Sequence, residues 1–130
     1  MPRVIHFEIH ADNPARAVKF YQSVFDWQIT KWDGPAEYWL VSTGKPEEPG
    51  INGAIIQRNH TIAGESVIAY ICTIDVPSVE VYTTRITDHG GTVVVPKMAV
   101  PGVGWLVYMK DSEGNIFGIM QNDGSAPISA

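Results

Sequence analysis

Hydrophobic and polar positions alternate along most of this chain, and the alternation is interrupted twice by apolar positions at helical spacing. Side chains on a strand point alternately to its two faces, whereas apolar residues three and four apart share one face of a helix. Helices are therefore predicted at 14–25, where Asp12-Asn13 offers a cap and Pro14 fits the first turn, and at 78–89. Strands are predicted at 3–10, 27–32, 37–43, 51–57, 66–75, 92–98, 104–110 and 116–121.

This order of elements is β-α-β-β-β written twice, and the two halves align along their whole length. Val4 and Pro14 meet Val67 and Pro77, 63 positions further on. The triplet at 39–41 recurs after 66 positions, as Trp-Leu-Val in both places. Coincidence between short apolar strings is the alternative, but order, spacing and element type all favour duplication. We expect one domain over 1–130, with repeats at 3–57 and 66–121 and a small, polar, frayed tail at 122–130.

Composition narrows the partners and the compartment. The net charge is −5 and no run of Lys or Arg occurs, which argues against nucleic acid and membrane surfaces and favours neutral or cationic ligands. The single cysteine, Cys72, excludes an internal disulfide and is expected to be a small buried hydrophobe. No signal peptide and no apolar run of ~20 residues is present, so a cytoplasmic location is predicted.

Two segments resemble a known superfamily. HFEIHADNPARAVKFYQSVFDW (6–27) and PGVGWLVYMKDSEGNIFGIMQ (101–121) are similar to the vicinal oxygen chelate superfamily, which includes glyoxalase I, bleomycin-resistance proteins and extradiol dioxygenases. The resemblance covers residues 3–121. It implies an α+β fold in which two tandem β-α-β-β-β modules form a cupped, mostly antiparallel mixed sheet with the helices outside. Many chemistries use this scaffold, so the fold alone does not imply one function.

The resemblance also implies where a metal would be held. Enzymes of the superfamily bind a divalent ion inside the cupped sheet, using His or Glu from the first and last strand of each repeat. Those four positions fall on His6, Ala54, Ala69 and Gly118, so His6 is the only match. No metal site and no cofactor are therefore predicted.

A second arrangement of ligands is conceivable on the first strand. His6, Glu8 and His10 share a face, but four residues of strand span roughly 13 Å, too far for all three to reach one ion. His6 and Glu8 together remain an alternative site for a divalent metal. His10, at the end of the strand, is expected to face solvent.

The small residues at the former ligand positions predict a hollow pocket with His6 and Glu8 as its polar anchors. Strand alternation adds larger apolar walls, and Trp105 is a candidate for stacking against a planar ligand. The alternative is a core filled by inward-folding neighbours such as Trp105 and Met120. The predicted ligand-binding residues are His6, Glu8, Ala54, Ile56, Ala69, Ile71, Trp105, Gly118 and Met120.

Two functions follow from these observations. The first is a protein that binds a small organic molecule in an apolar cavity without the superfamily's usual metal, as a protein that sequesters a drug or metabolite would. The alternative is a lyase, isomerase or other enzyme, with His6 and Glu8 as candidate catalytic residues in an altered metal site or in acid–base chemistry. A homodimer is expected, because an open sheet has edges to cover and four tryptophans leave aromatic area to bury.

Overall fold

The computed structural model describes residues 2–58 and 69–127. The elements are β1 (Val4–Ala11), α1 (Pro14–Phe25), β2 (Gln28–Lys31), β3 (Tyr38–Ser42), β4 (Asn52–Gln57), β5 (Tyr70–Asp75), α2 (Val79–Asp88), β6 (Thr92–Val100), β7 (Gly104–Lys110) and β8 (Ile116–Asn122). The chain divides into two compact units, a first unit of residues 6–71 and a second unit of residues 1–5 with 72–130. Neither described helix is long and apolar enough to cross a membrane.

In the first unit the strand order is β2-β3-β4-β1, with β1 and β4 parallel and the other two pairs antiparallel. Helix α1 packs against one face of this sheet through Ala17, Val18 and Tyr21. The buried residues beneath the helix are Phe7, Ile9, Ala11, Ile29, Val41 and Ile55. The odd-numbered positions of β1 therefore form the core, and the even-numbered positions point to the opposite face.

The second unit repeats this plan as β6-β7-β8-β5, again with one parallel pair, β5 with β8. Helix α2 covers a core of Val76, Val79, Val107, Met109 and Ile119. Strand β6 lies at the edge, and its register shifts on both sides of Val95. Pro96 lies on this strand and has no N–H to donate to a neighbouring strand. Prolines are tolerated in a sheet mainly on irregular edge strands such as β6.

Both helices begin at the caps that the sequence offers. The Asn13 side chain accepts a hydrogen bond from the Arg16 N–H at 3.1 Å, and Pro14 occupies the first turn. The Ser78 hydroxyl accepts from the Val81 N–H at 3.2 Å. These local signals explain why the helix positions could be predicted closely.

The predicted fold class is confirmed: the protein is α+β, with two β-α-β-β-β modules and mixed, mostly antiparallel strand pairing. The predicted start of the fifth strand, at residues 66–68, lies outside the described residues. Two smaller expectations are wrong. Cys72 is exposed, because the buried face of β5 carries its neighbours Ile71 and Thr73.

The second wrong expectation concerns the tail. Residues 123–127 are bonded to the turn between β6 and β7 and are not frayed. The Asp123 N–H donates to the Val103 carbonyl at 2.9 Å, the Gly102 N–H donates to the Ala126 carbonyl at 3.1 Å, and Ala126 is buried. Residues 128–130 lie outside the described residues.

Candidate functional site

The face of the first-unit sheet opposite α1, called the far face below, carries the polar residues of β1. The register places Glu8 beside Ala54 and His10 beside Ile56, and Leu40 of β3 on the other side of Ala54. Members of the far face are His6, Glu8, His10, Tyr38, Leu40, Ala54 and Ile56. The sequence prediction that His6, Glu8, Ala54 and Ile56 share one face agrees with this register.

A hydrogen bond across Ala54 is the central feature of the far face. The Tyr38 hydroxyl and Nε2 of His6 lie 3.2 Å apart and share a hydrogen bond. Tyr38 is two residues from Leu40, and His6 is two residues from Glu8, so each side chain leans toward the other over the methyl group between them. Ala54 is completely buried. The alanine at this position therefore leaves room for a histidine–tyrosine pair.

Glu8 and His10 form a second polar pair on the same face. Oε1 of Glu8 lies 3.7 Å from Nε2 of His10, and both residues are buried. His10 is only 4% exposed, so the expectation that it faces solvent is wrong. Its position near the end of β1 does not expose it, because β1 continues to Ala11. Within the described residues, neither ring nitrogen of His10 has a hydrogen-bond partner.

Burial sets the protonation state of the His6–Tyr38 pair. Desolvation lowers the pKa of His6 below its ordinary value of 6.5, and the nearby Glu8 carboxylate offsets part of that effect. Desolvation, reinforced by Glu8, raises the pKa of Tyr38 well above that of a free phenol. At neutral pH the pair is therefore a neutral imidazole and a neutral phenol.

The lowered pKa of His6 predicts a pH-dependent loss of stability. Between its folded pKa and 6.5 the unfolded chain binds more protons at this residue, so stability rises with pH in that window. The contribution of neutral His6 is complete above pH 6.5 and is lost as the pH falls below it. We expect wild-type protein to lose thermal stability relative to His6→Gln between pH 7 and pH 5. A difference in Tm between the two proteins that does not vary with pH would contradict this assignment.

In the second unit the corresponding small residue, Gly118, is covered by its neighbours. A Cβ atom at Gly118 would lie 3.2 Å from Oγ1 of Thr73 and 3.3 Å from Cδ1 of Leu106. Both residues are buried, as is Tyr108, which pairs with Gly118 across β7 and β8. Thr73 and Leu106 are therefore the residues nearest to Gly118, in place of the Trp105 and Met120 named in the filled alternative, and the open pocket at this position stays a prediction.

Trp105 was predicted to line the same pocket as Gly118 and Met120, but it lies on the opposite face of the sheet. It pairs with Gln121, whereas Met120 and Gly118 pair with Leu106 and Tyr108, so Trp105 points to the other side of β7. There it packs against the α2 core, and its Nε1 donates to Asp123 at 3.1 Å. Because side chains alternate along β7, Trp105 lies on the core face of the strand, opposite the face that carries Leu106 and Tyr108 beside Gly118.

The remaining predicted positions lie on or beside β5. Ala69 is exposed and precedes the strand, which begins at Tyr70. Ile71 is almost fully buried and shares its side of β5 with Thr73. Ile71 therefore lies in the core, and its predicted role in binding a ligand stays a prediction, whereas Ala69 precedes the strand.

The residues present do not fit the metal that the superfamily resemblance implies. Ala54, Ala69 and Gly118 offer no donor atoms, and the remaining donor, Nε2 of His6, is engaged by Tyr38. In residues 2–58 and 69–127 no three His, Cys, Asp or Glu side chains are grouped so that they could hold one ion.

Tyr38 is the site residue that sequence reasoning missed. Strand alternation puts Tyr38 on the face opposite Trp39, and Trp39 packs against the α1 core. The missing information was the register of β3 on β4, which places Tyr38 beside Ile56 on the far face, from where its hydroxyl reaches His6. The sequence did carry one signal. Tyr38 lies two positions before Leu40 on the predicted strand 37–43, so alternation places the two side chains on the same face.

Comparison with known proteins identifies the fold. No family model and no curated protein matches the sequence. Solved structures match along nearly the whole chain. A hypothetical protein, BH1468 from Bacillus halodurans C-125, has a TM-score of 0.67 at 11% identity, covering 98% of this chain and 99% of that one.

Two methylmalonyl-CoA epimerases are similarly close. One, in complex with methylmalonyl-CoA and NH4+, has a TM-score of 0.68 at 13% identity, with 98% of this chain and 99% of that one covered. The other, from Mycobacterium tuberculosis, has a TM-score of 0.68 at 10% identity, with 92% and 87% covered. At these identities the similarity shows the fold alone, which these solved structures share with nearly the whole of this chain.

Proposed function

We propose that the chain is a member of the vicinal oxygen chelate superfamily that binds a small organic molecule at the far face, without the superfamily's metal. The observation that carries the proposal is the His6–Tyr38 hydrogen bond. It engages Nε2 of His6, and His6 is the one residue at the four implied metal-ligand positions that could bind a metal. Apolar side chains, Leu40 and Ile56, flank this polar pair on the same face. Small-molecule sites typically combine apolar side chains with a few polar groups that fix the orientation of the ligand, and the far face offers both.

The protonation of the site favours particular ligands. A neutral phenol can donate and accept one hydrogen bond each, and a neutral imidazole can do the same. The nearby Glu8 carboxylate repels an anion in a setting where charges are poorly screened. The proposed ligand is therefore neutral or cationic, and it carries a hydroxyl, carbonyl or amide group that can exchange hydrogen bonds with the pair.

The test is a thermal-shift screen of neutral and cationic metabolites and antibiotics, followed by titration of each hit. A ligand at 100 times its dissociation constant adds about 2.7 kcal/mol to stability. We expect His6→Ala and Tyr38→Phe each to weaken a hit by about 0.5–1.5 kcal/mol, because each removes one hydrogen bond. Tyr82→Phe, on α2, is the matched control and should leave the dissociation constant unchanged.

Metal analysis of the purified protein supplies the outcome that would count against the proposal. Stoichiometric, tightly bound divalent metal that is lost in His6→Ala would show that His6 is a ligand. Hits that bind His6→Ala and Tyr38→Phe as tightly as the wild type would place the site elsewhere.

A second candidate function is acid–base catalysis by the same pair. The observation that favours it is the lowered pKa of His6, because a buried neutral imidazole beside a hydroxyl can accept a proton. The test is incorporation of deuterium from D2O into a bound hit at a carbon next to a carbonyl, followed by NMR. Exchange that is lost in His6→Gln, with binding retained, would favour an enzyme. Methylmalonyl-CoA belongs in the same assay, and we expect no exchange because its carboxylate would face Glu8.

A further inference from the structure

A cleft lies between the end of β1 and the first half of α1, on the side of the first-unit sheet opposite the far face. Its volume is about 400 Å³, which is within the range of small-molecule sites. Ile9 and Ala11 of β1 and Ala17 of α1 supply its apolar lining. These three residues belong to the core beneath the helix, so the cleft is separate from the site of His6 and Tyr38.

The wall of the cleft toward the middle of α1 is aromatic. Phe20 and Tyr21 both line it, and their rings meet edge-on at 5.1 Å between centroids. Tyr21 is held in place by two further contacts: Trp27 stacks on its ring at 5.1 Å, and its hydroxyl accepts a hydrogen bond from Tyr70 at 2.9 Å. Phe20 is 55% exposed, so its ring is accessible to a ligand beside this fixed neighbour.

The other end of the cleft, at the start of α1, carries two arginines, Arg16 and Arg58. The Arg58 guanidinium is fixed, because it lies 2.7 Å from a carboxylate oxygen of Asp12 and donates to the His10 carbonyl at 2.9 Å. Arg16 is exposed and forms no ion pair with any described residue. The first turn of α1 contains no acidic residue. Asp12 therefore compensates one guanidinium, and the charge of Arg16 is left for an anion.

The spacing of these groups on α1 sets the shape of a ligand. Arg16 and Phe20 are four residues apart, so their side chains share one face of the helix, with Cβ atoms about 5–6 Å apart. We propose that the cleft binds a small aromatic acid, with its ring against Phe20 and Tyr21 and its carboxylate on Arg16. A guanidinium can hold a carboxylate through two parallel hydrogen bonds. The ring and the carboxylate are separated by a short spacer in such a ligand, as in phenylpropionate.

The first test is titration of the intact chain with phenylpropionate, followed by calorimetry and ligand-observed NMR. We expect millimolar or tighter binding, and about fivefold weaker binding of phenylpropanamide, which has the same shape without the charge. Added salt should weaken binding of the acid and not of the amide, because it screens an exposed arginine. Absence of millimolar binding, or equal affinity for the acid and the amide, would overturn the proposal.

The second test locates the ligand with paired variants of exposed residues, for which unchanged circular dichroism is expected. Arg16→Gln should weaken the acid about fivefold and leave the amide unchanged, whereas Arg85→Gln, on α2, should change neither. Phe20→Leu should weaken both compounds severalfold, because the ring contact is lost. Phe25→Leu, equally exposed on the same helix but outside the cleft, should not. Affinities that are unchanged in Arg16→Gln or in Phe20→Leu would contradict the proposed site.

The third test separates this cleft from the far face, where the buried Glu8 carboxylate repels anions. His6→Ala should leave the affinity for phenylpropionate unchanged, and Arg16→Gln should leave the affinity for a far-face hit unchanged. Loss of phenylpropionate binding in His6→Ala would move the acid to the far face and overturn the cleft as its site. A chain that does not bind phenylpropionate at all would overturn the cleft proposal and leave the far-face proposal standing.

Discussion

Gly53→Ala is expected to lower the free energy of unfolding by about 3 kcal/mol, and Tm by roughly 10–15 °C. An added Cβ would overlap the Phe7 carbonyl oxygen and would lie 2.6 Å from two ring carbons of Phe7. The carbonyl belongs to β1, which pairs with β4 at this residue, so it cannot move aside as the end of a flexible side chain can. The clash therefore has to be relieved by shifting one strand against the other.

Urea denaturation of wild type and variant measures this effect. The matched control is Gly44→Ala, where the nearest atom is the carboxylate of Glu48 at 3.3 Å, on a flexible exposed side chain. That control should change stability by less than about 0.5 kcal/mol. Similar free energies of unfolding for the two variants would mean that Gly53 on β4 does not approach Phe7 on β1 as closely as in this structure. Ligand binding should weaken as well in Gly53→Ala, because β1 carries His6.

The fold could be predicted because its signals are local. Asn13-Pro14 and Ser78 mark the helix starts, and alternation over a few residues identifies each strand. The duplication was also visible, since the two halves share element order and spacing, and the structure gives both units the same strand order. The close approach at Gly53 was not visible, because a glycine in a strand looks the same whether or not a carbonyl faces it.

The candidate site was only partly predictable, because alternation fixes the face of a side chain but not its neighbours on other strands. His6 and Glu8 share a face as expected, and Ala54 lies between β1 and β3 on that face. The partner of His6 depends on the register of β3 and on the reach of Tyr38, neither of which has a local signal. Trp105 was misplaced for a related reason: without the pairing of β7 with β8, nothing tied its side of the strand to that of Gly118.

His10→Leu is expected to stabilise the protein by about 1 kcal/mol, a change of opposite sign to most core substitutions. His10 is 4% exposed, and within the described residues neither of its ring nitrogens has a hydrogen-bond partner. A buried polar group left in this state costs about 1–3 kcal/mol, whereas leucine fills a similar volume without that cost. Glu8 has another interaction besides its 3.7 Å approach to His10, so the carboxylate is not left alone.

The measurement is Tm and the urea midpoint without ligand, with His89→Leu as the control. His89 is exposed at the end of α2, where its Nδ1 lies 2.7 Å from the Arg85 carbonyl oxygen, so its replacement should be neutral or slightly destabilising. A His10→Leu protein less stable than wild type would show that the imidazole is satisfied, for example by a buried water. If His10→Leu stabilises the protein but weakens binding of a screened hit, the imidazole of His10 contacts the ligand. The far face would then keep an unpaired, buried imidazole at a cost in stability because ligand binding requires it.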